Sequence, residues 1–362
     1  MKKILISTGG SGGHVVPATI LYEHLKDDFK VYLSCDIRGT KFLNKKKYDL
    51  KIINTPRITK NFAWLPFQIF FILYLIIKSL FFLKNKKIDL IISTGGYMSL
   101  PLCLAAKIIN IKIFLFEPNM VLGRVNRIFL KFCDKIFCYS NEIKNFPSKL
   151  KNKISLIPAL LRKEFYRIKS RNLKTYVSRL NKNEINLLII GGSQRAKLFD
   201  TVIESSIIEL SKKYELKIFQ QTSPNNFNHL KNLYLKKKIK SQLFDFNEDI
   251  SNYMSGSDIC ITRAGASTLA ELIFLNIPHI AIPLPSAKDN HQFENASFYQ
   301  YLGCNWIIHQ NKDNAINLTD KLLNIIENKD KYLDKKNKMK NLSYQNTWNN
   351  INQKLKSTIN EN

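Results

Sequence analysis

Short apolar runs alternate with glycine-bearing loops and helix-period segments along most of the chain. In the first half Lys3–Ser7, Val31–Cys35, Ile88–Ser93, Ile113–Phe116, Lys135–Cys138 and Ile154–Ile157 read as strands. Val15–Leu25 and a segment from about Leu100 to Asn110 read as helices between them. Charged residues dominate from Arg162 to Glu184, as a linker and a surface helix would. The pattern then restarts, with Ile185–Ile190, Leu216–Gln220, Gln242–Phe246, Ile259–Ile261 and Ile280–Pro283 as strands. Helices are predicted from the loop after Ile190 through about Lys212, from Asp249 to Ser255, from Thr268, and from His291 through Tyr301. Alternating strand–helix units imply parallel sheets with right-handed crossovers. The predicted class is α/β, with two Rossmann-like parallel-sheet domains. The expected boundaries are 1–160 and 161–340, followed by a polar tail, 341–362, in which Leu342–Ile359 forms a helix that crosses back to the first domain.

Four segments share one design, an apolar strand, a glycine loop and a helix, with glycines near positions 9, 95, 191 and 265. Ligands of such sheets bind beyond the C-terminal strand ends, so the four loops are expected at one cleft between two facing domains. In the fourth, Thr262-Arg263-Ala264-Gly265-Ala266-Ser267 leads to a helix predicted to start at Thr268, with Glu271 in its first turn. Free N–H groups at a helix start suit a diphosphate, Arg263 adds a positive charge, and Glu271 can accept from sugar hydroxyls. An ordinary strand–helix turn, with Glu271 stabilising the helix start, fits the same residues. In the first loop, Thr8 to His14, four glycines in five residues let backbone approach a phosphate or sugar. His14 at the loop–helix junction reads either as a general base or oxyanion donor, or as a helix-start residue contacting backbone. A dinucleotide site, with Asp36 as its ribose acid, is disfavoured because Val15 stands where the third fingerprint glycine belongs.

Phe62–Leu83 is the most apolar segment and is nearly long enough to span a bilayer. Pro66, Gln68, Lys78 and Ser79 interrupt it, and Lys84, Lys86 and Lys87 follow. A buried or membrane-surface helix beside anionic lipid fits better than a span. Composition sharpens this picture. The net charge is +28, spread over many short lysine clusters such as Lys45-Lys46-Lys47 and Lys236-Lys237-Lys238. Such a surface favours anionic partners, yet no recognition helix, zinc spacing or aromatic RNA motif points to nucleic acid. Six scattered cysteines without a CxxC pair read as reduced, mostly buried thiols. The N-terminal apolar run, Ile4-Leu5-Ile6, is too short for a signal peptide.

Six ordered motifs carry a resemblance that covers nearly the whole chain. They are Thr8–Ala18, Gly95-Gly96-Tyr97, Glu117-Pro118-Asn119, Gly191-Gly192-Ser193-Gln194, Arg263–Thr268 with Glu271, and Pro283-Leu284-Pro285 with Asp289, His291, Gln292 and Asn295. In order and spacing the chain resembles the MurG family of N-acetylglucosaminyltransferases, which convert lipid I to lipid II in peptidoglycan synthesis. The resemblance implies a GT-B fold, with an N-terminal acceptor-binding, membrane-associating domain and a C-terminal UDP-sugar-binding domain. It implies an inverting transfer of GlcNAc from UDP-GlcNAc to the 4-hydroxyl of the muramyl sugar of lipid I.

By the same resemblance Glu271 holds the ribose, Ser193 and the N–H groups of Ala266, Ser267 and Thr268 face the diphosphate with Arg263 meeting its charge, and Leu269 and Ala270 also belong to the UDP-GlcNAc site. Asn247 lies at the uracil, Gln292 and Asn119 at the sugar, and Arg162 at the nucleotide. Ser11, Gly12, Gly13 and His14 line the site from the acceptor domain, with His14 as base or orienting residue. Gly95, Gly96 and Tyr97 hold the acceptor diphosphate. The family usually has Gln where Pro118 stands and Gly where Ser93 stands. No Asp-x-Asp pair is present, so no metal or cofactor is expected. The expected partners are UDP-GlcNAc, lipid I and an anionic membrane surface, at the cytoplasmic face of the membrane as a peripheral protein.

Overall fold

A computed structural model of the chain describes residues 1–56, 65–168, 179, 182–191, 197–245, 250–310 and 314–361. The chain divides into two compact units, Met1–Leu161 together with Asn346–Asn362, and Arg162–Gln345.

Unit 1 is built on a parallel sheet of seven strands among the described residues: β1 (Lys3–Ser7), β2 (Lys30–Cys35), β3 (Leu50–Ile52), β4 (Leu90–Ser93), β5 (Lys112–Glu117), β6 (Lys135–Cys138) and β7 (Ile154–Leu156). Their spatial order is β3-β2-β1-β4-β5-β6-β7. Residue Ile4 of β1 lies opposite Val31 on one side and Leu90 on the other. Strands covered on both faces need near-continuous apolar runs, and Leu5, Ile91, Ile113, Leu115 and Ile136 are accordingly buried in one core. Helices α1 (Gly12–Leu25), α2 (Leu65–Lys86), α3 (Leu100–Ile108) and α4 (Arg124–Phe129) connect the strands. Just past α3, Asn110 adopts a left-handed φ of 56°, a conformation asparagine tolerates at helix ends.

Helix α2 is inverted relative to an ordinary surface helix. Its polar Gln68 and Ser79 are buried, and Ser79 Oγ donates to the Leu75 carbonyl at 2.7 Å. Phe67, Phe70, Leu73, Ile77 and Phe81 are more than half exposed. Leu75, Ile76 and Leu83 pack into the unit 1 core. The helix is long and apolar enough to cross a membrane. Spanning would require stripping this face from the core, whereas lying on a surface would not. Phe62, Ala63 and Trp64, the start of the apolar run, lie outside the described residues.

The helix Trp348–Glu361 belongs to unit 1. Ile351, Leu355 and Ile359, spaced one helical turn apart, are buried. Trp348 stacks on His24 with ring centroids 3.6 Å apart, and Lys2 Nζ donates to the Ile359 carbonyl at 2.7 Å.

Unit 2 carries a parallel sheet of six strands among the described residues: β8 (Glu184–Ile190), β9 (Glu215–Gln221), β10 (Lys240–Phe244), β11 (Ile259–Thr262), β12 (His279–Ala281) and β13 (Trp306–Ile307), in the order β10-β9-β8-β11-β12-β13. The alternating positions Ile185, Leu187 and Ile189 of β8 join Ile259, Ile261 and Ile280 in its core, together with Ile203 and Leu322 from the covering helices. The polar stretch from Lys329 is a helix, Lys329–Ser343, anchored by buried Tyr332 and Met339.

Candidate active site

In each sheet the strand order reverses once, between β1 and β4 in unit 1 and between β8 and β11 in unit 2. Diverging connections at such a point leave a crevice beyond the strand ends. Three of the four glycine loops fall wholly or largely within the described residues at these points.

In unit 1 the first loop follows β1 and the second follows β4. They are stitched together at their roots, where Thr94 N donates to the Ser7 carbonyl at 3.0 Å and Thr94 Oγ1 to Thr8 Oγ1 at 2.8 Å. Helix α1 starts at Gly12, earlier than the predicted Val15, with Ser11 as its cap residue. Gly12 and Gly13 thus form its first turn, where N–H groups lack intrahelical partners and suit an anion. The His14 ring lies over the second loop. Its Nδ1 donates to the Thr94 carbonyl at 2.8 Å, an assignment that follows because a carbonyl only accepts. In the neutral ring the lone pair therefore belongs to Nε2. Gly95 and Gly96 take left-handed φ values of 88° and 80°, and a Cβ on Gly95 would sit 3.3 Å from His14 Cε1. The two glycines form the floor under the imidazole.

Asp36 has a different task from the ribose acid of a dinucleotide site. Its Oδ1 accepts from Gly10 N at 2.7 Å and Gly39 N at 3.0 Å, and its Oδ2 from Arg38 Nε at 2.7 Å. Burial works against the charged form, but these donors outweigh it and hold the carboxyl below its ordinary range. A Cβ on Gly9 would meet Asp36 Oδ1 at 2.6 Å, so the glycine makes the approach possible. Arg38 continues the chain of contacts by donating to the Tyr97 hydroxyl and stacking over its ring.

A third loop, after β5, is organised by Glu117. Its carboxylate accepts from Asn119 N, Asn119 Nδ2, Gly123 N and Asn126 Nδ2, at 2.7 to 3.2 Å. The carboxylate fixes Asn119, which is half-buried. Sequence reasoning assigns no task to Arg38, Glu117 or Asn126. The glutamate stands inside a recognised motif, but its partners lie up to nine residues on and carry no local signal.

In unit 2 the helix after β11 spans Ala266–Phe274 and starts two residues before the predicted Thr268. Glu271 consequently sits in its second turn. The N–H groups of Ala266, Ser267 and Thr268 occupy the open first turn, and all three residues are partly exposed. Leu269 and Ala270 follow inside the helix, with both side chains buried, and Leu269 N donates to the Gly265 carbonyl at 3.0 Å. Arg263 is only 5% exposed, and its Nη1 donates to the Ile282 carbonyl at 2.9 Å, which ties the loop to the segment just after β12.

Glu271 is nearly buried, and Arg162 Nη2 lies 3.2 Å from its Oε1. Burial raises the carboxyl above its ordinary range, and Arg162 offsets only part of this. Gln292 Oε1 accepts from Leu284 N at 2.9 Å, and buried Asn295 donates to the Ala264 carbonyl at 3.1 Å. Both side chains hold loops that flank the same strand ends. Ser193 and Asn247 lie outside the described residues.

The glycosyltransferase family 28 N-terminal domain matches residues 4–138 of the chain, and the family 28 C-terminal domain matches residues 186–354. A UDP-N-acetylglucosamine–N-acetylmuramyl-(pentapeptide) pyrophosphoryl-undecaprenol N-acetylglucosamine transferase of Pelagibacter ubique (strain HTCC1062) is 60% identical over 361 residues, covering 100% of this chain and 99% of that protein. The transferase of the same description from Rickettsia canadensis (strain McKiel) is 37% identical, covering 91% and 92% of the two chains. Among solved structures, Acinetobacter baumannii MurG superposes with a TM-score of 0.76 at 23% identity over 100% of both chains. A UDP-GlcNAc 2-epimerase from Neisseria meningitidis shares the fold at a TM-score of 0.66 and 14% identity, covering 99% of this chain and 100% of that one. The GT-B fold is therefore common to transferases and epimerases, and sequence kinship separates them.

Proposed function

Because this chain belongs to glycosyltransferase family 28, we propose that its two units divide one reaction between them. It is an N-acetylglucosamine transferase that moves GlcNAc from UDP-GlcNAc to a lipid-linked muramyl-pentapeptide acceptor. The observation that carries this reading is the 60% identity, end to end, with a relative whose name states that reaction.

Unit 2 takes the donor. The open N–H groups of Ala266, Ser267 and Thr268 receive the diphosphate, and Glu271 accepts from the ribose hydroxyls. Arg162 offsets part of the burial that disfavours the ionised Glu271, and is assigned to the nucleotide by family position. As the sugar–phosphate bond breaks, charge grows on the departing diphosphate and is met by the helix start. Gln292 meets the sugar, and Ser193 and Asn247 are assigned to the diphosphate and uracil by family position. Unit 1 takes the acceptor. Gly95, Gly96 and Tyr97 receive its diphosphate, while Ser11, Gly12, Gly13 and Asn119 are assigned to UDP-GlcNAc by family position. His14 Nε2 accepts the proton of the attacking 4-hydroxyl, with the ring oriented through Nδ1 and Thr94. Direct displacement at the anomeric carbon inverts its configuration.

The exposed apolar face of α2 supports peripheral attachment to a membrane surface. Lys84 and Lys86 in its last turn favour anionic lipid, and a lipid-linked acceptor requires such a location. The cytoplasmic face is the reading we take, because the donor is a nucleotide sugar.

The test is incubation of purified protein with radiolabelled UDP-GlcNAc, with and without a short-chain lipid-linked muramyl-peptide acceptor. Acceptor-dependent label in the lipid fraction is the expected result. Conversion of UDP-GlcNAc alone to an epimer, without transfer, would overturn the reading in favour of the epimerase.

A further inference from the structure

Arg38 is a charged side chain on the acceptor unit that the reaction described above leaves without a task. Three contacts lock it. Nε donates to Asp36 Oδ2 at 2.7 Å, Nη2 donates to the Tyr97 hydroxyl and lies 3.2 Å from Met98 Sδ, and Cζ sits 5.1 Å from the Tyr97 ring centroid. The contacts fix the guanidinium plane while leaving the side chain 35% exposed. Nη1 takes part in none of them. A salt-bridged arginine that only held the fold would have no need of Tyr97, since Asp36 already binds two loop N–H groups. The arrangement instead presents a rigid cation at the junction of the two glycine loops. Through Asp36 it is tied to Gly10 in the first, and through Tyr97 it is tied to the end of the second.

We propose that Arg38 binds the diphosphate of the lipid-linked acceptor, with Asp36 and Tyr97 as the residues that aim it. The inference rests on the transferase reading and deepens its acceptor side. Planar guanidinium groups match phosphate oxygens, and pre-orientation reduces the entropy lost on binding. The donor also carries a diphosphate, but unit 2 holds its own open helix start and ribose acceptor for it. The acceptor's diphosphate is therefore the one left for unit 1.

The experiment compares wild type, Arg38→Ala and Arg38→Lys on two short-chain polyprenyl-linked muramyl peptides, one with a diphosphate and one with a monophosphate. In wild type, kcat/KM is expected to fall about tenfold or more when the second phosphate is removed, the size of a charge-assisted contact. In Arg38→Ala that penalty shrinks to about twofold, because the partner is gone. The acceptor KM rises while the donor KM stays within about twofold. Arg38→Lys keeps the charge, loses the fork and falls between the two; it also serves if the alanine variant does not fold. Equal losses on both acceptors in the variants would reduce Arg38 to a structural clamp and overturn the proposal. A raised donor KM with an unchanged acceptor KM would overturn it in favour of the donor diphosphate. Absence of transfer by wild type on either acceptor would instead overturn the transferase reading beneath it.

Discussion

Arg162 and Glu271, 109 positions apart in sequence, form an ion pair in which the guanidinium lies 3.2 Å from a nearly buried carboxylate. Burial pushes Glu271 toward the neutral form and Arg162 pulls it back. Donor binding needs the acceptor oxygens of the ionised form. UDP-GlcNAc affinity is therefore expected to weaken as pH falls, starting above the ordinary glutamate range. Arg162→Gln removes the stabilising charge, so the loss should begin at higher pH. Calorimetric titration from about pH 4 to about pH 8, which brackets the ordinary and the raised glutamate range, checks this. Superimposable curves would refute the coupling.

Glu271→Gln separates affinity from stability. A folded-state pKa above the unfolded value means that the native state binds more protons, so stability falls as pH rises through that range. Above that range the charged side chain costs stability that the amide does not. The variant is expected to keep or slightly raise Tm while losing donor affinity by about 1.5–3 kcal/mol, the size of a charged hydrogen bond. Thermal melts and binding curves on one preparation decide it.

His14→Ala is expected to lower kcat by about 10²–10⁴-fold with little change in donor KM, as removal of a general base does. Gly95→Ala tests the floor under the ring. It places a methyl at a left-handed φ of 88° and against His14 Cε1. The expected result is a loss of kcat with a stability cost of about 1–3 kcal/mol. Wild-type turnover in both variants would dismiss the base.

Asp36→Asn should destabilise unit 1 by about 1–3 kcal/mol at neutral pH, because the buried carboxylate loses its charge toward the partly exposed Arg38 and an NH2 group can face the Gly10 N–H. The folded carboxyl sits below its ordinary range. Its contribution is thus present above the unfolded aspartate pKa and is lost as pH falls through the lowered folded value. Urea melts from about pH 7 down to about pH 3, below the unfolded aspartate value, should converge for wild type and variant at the acid end.

Phe67→Glu combined with Phe70→Glu should abolish co-sedimentation with anionic vesicles. Turnover on a detergent-soluble acceptor should persist, since both residues are on the exposed face of α2. Retained vesicle binding would remove that face from the attachment surface.

The buried strands are legible in the sequence because strands covered on both faces must be written as apolar runs, and Lys135–Cys138 matches its predicted range. Two of the edge strands are not. Leu50–Ile52 and Trp306–Ile307 are short and largely half-exposed, so little in their composition sets them apart. The helix Lys329–Ser343 reads as a polar tail because only Tyr332 and Met339 are buried among its lysines. Site residues divide in the same way. His14 and Glu271 stand out by position beside glycine loops. The contact of Arg263 is not legible, because the carbonyl it donates to belongs to Ile282, nineteen residues on. The task of Asp36 is hidden for the same reason, since one of its donors, Gly10, lies 26 positions earlier.

The return of the helix Trp348–Glu361 to unit 1 also sets the order in which the chain can be completed. During synthesis the seven strands of the first sheet emerge well before residues 346–361. Until then His24 lacks the Trp348 ring, and the sites that receive Ile351, Leu355 and Ile359 stay open to solvent. The unit begun first is completed only after unit 2 has been made, and every nascent chain leaves these apolar sites uncovered until residues 346–361 leave the ribosome.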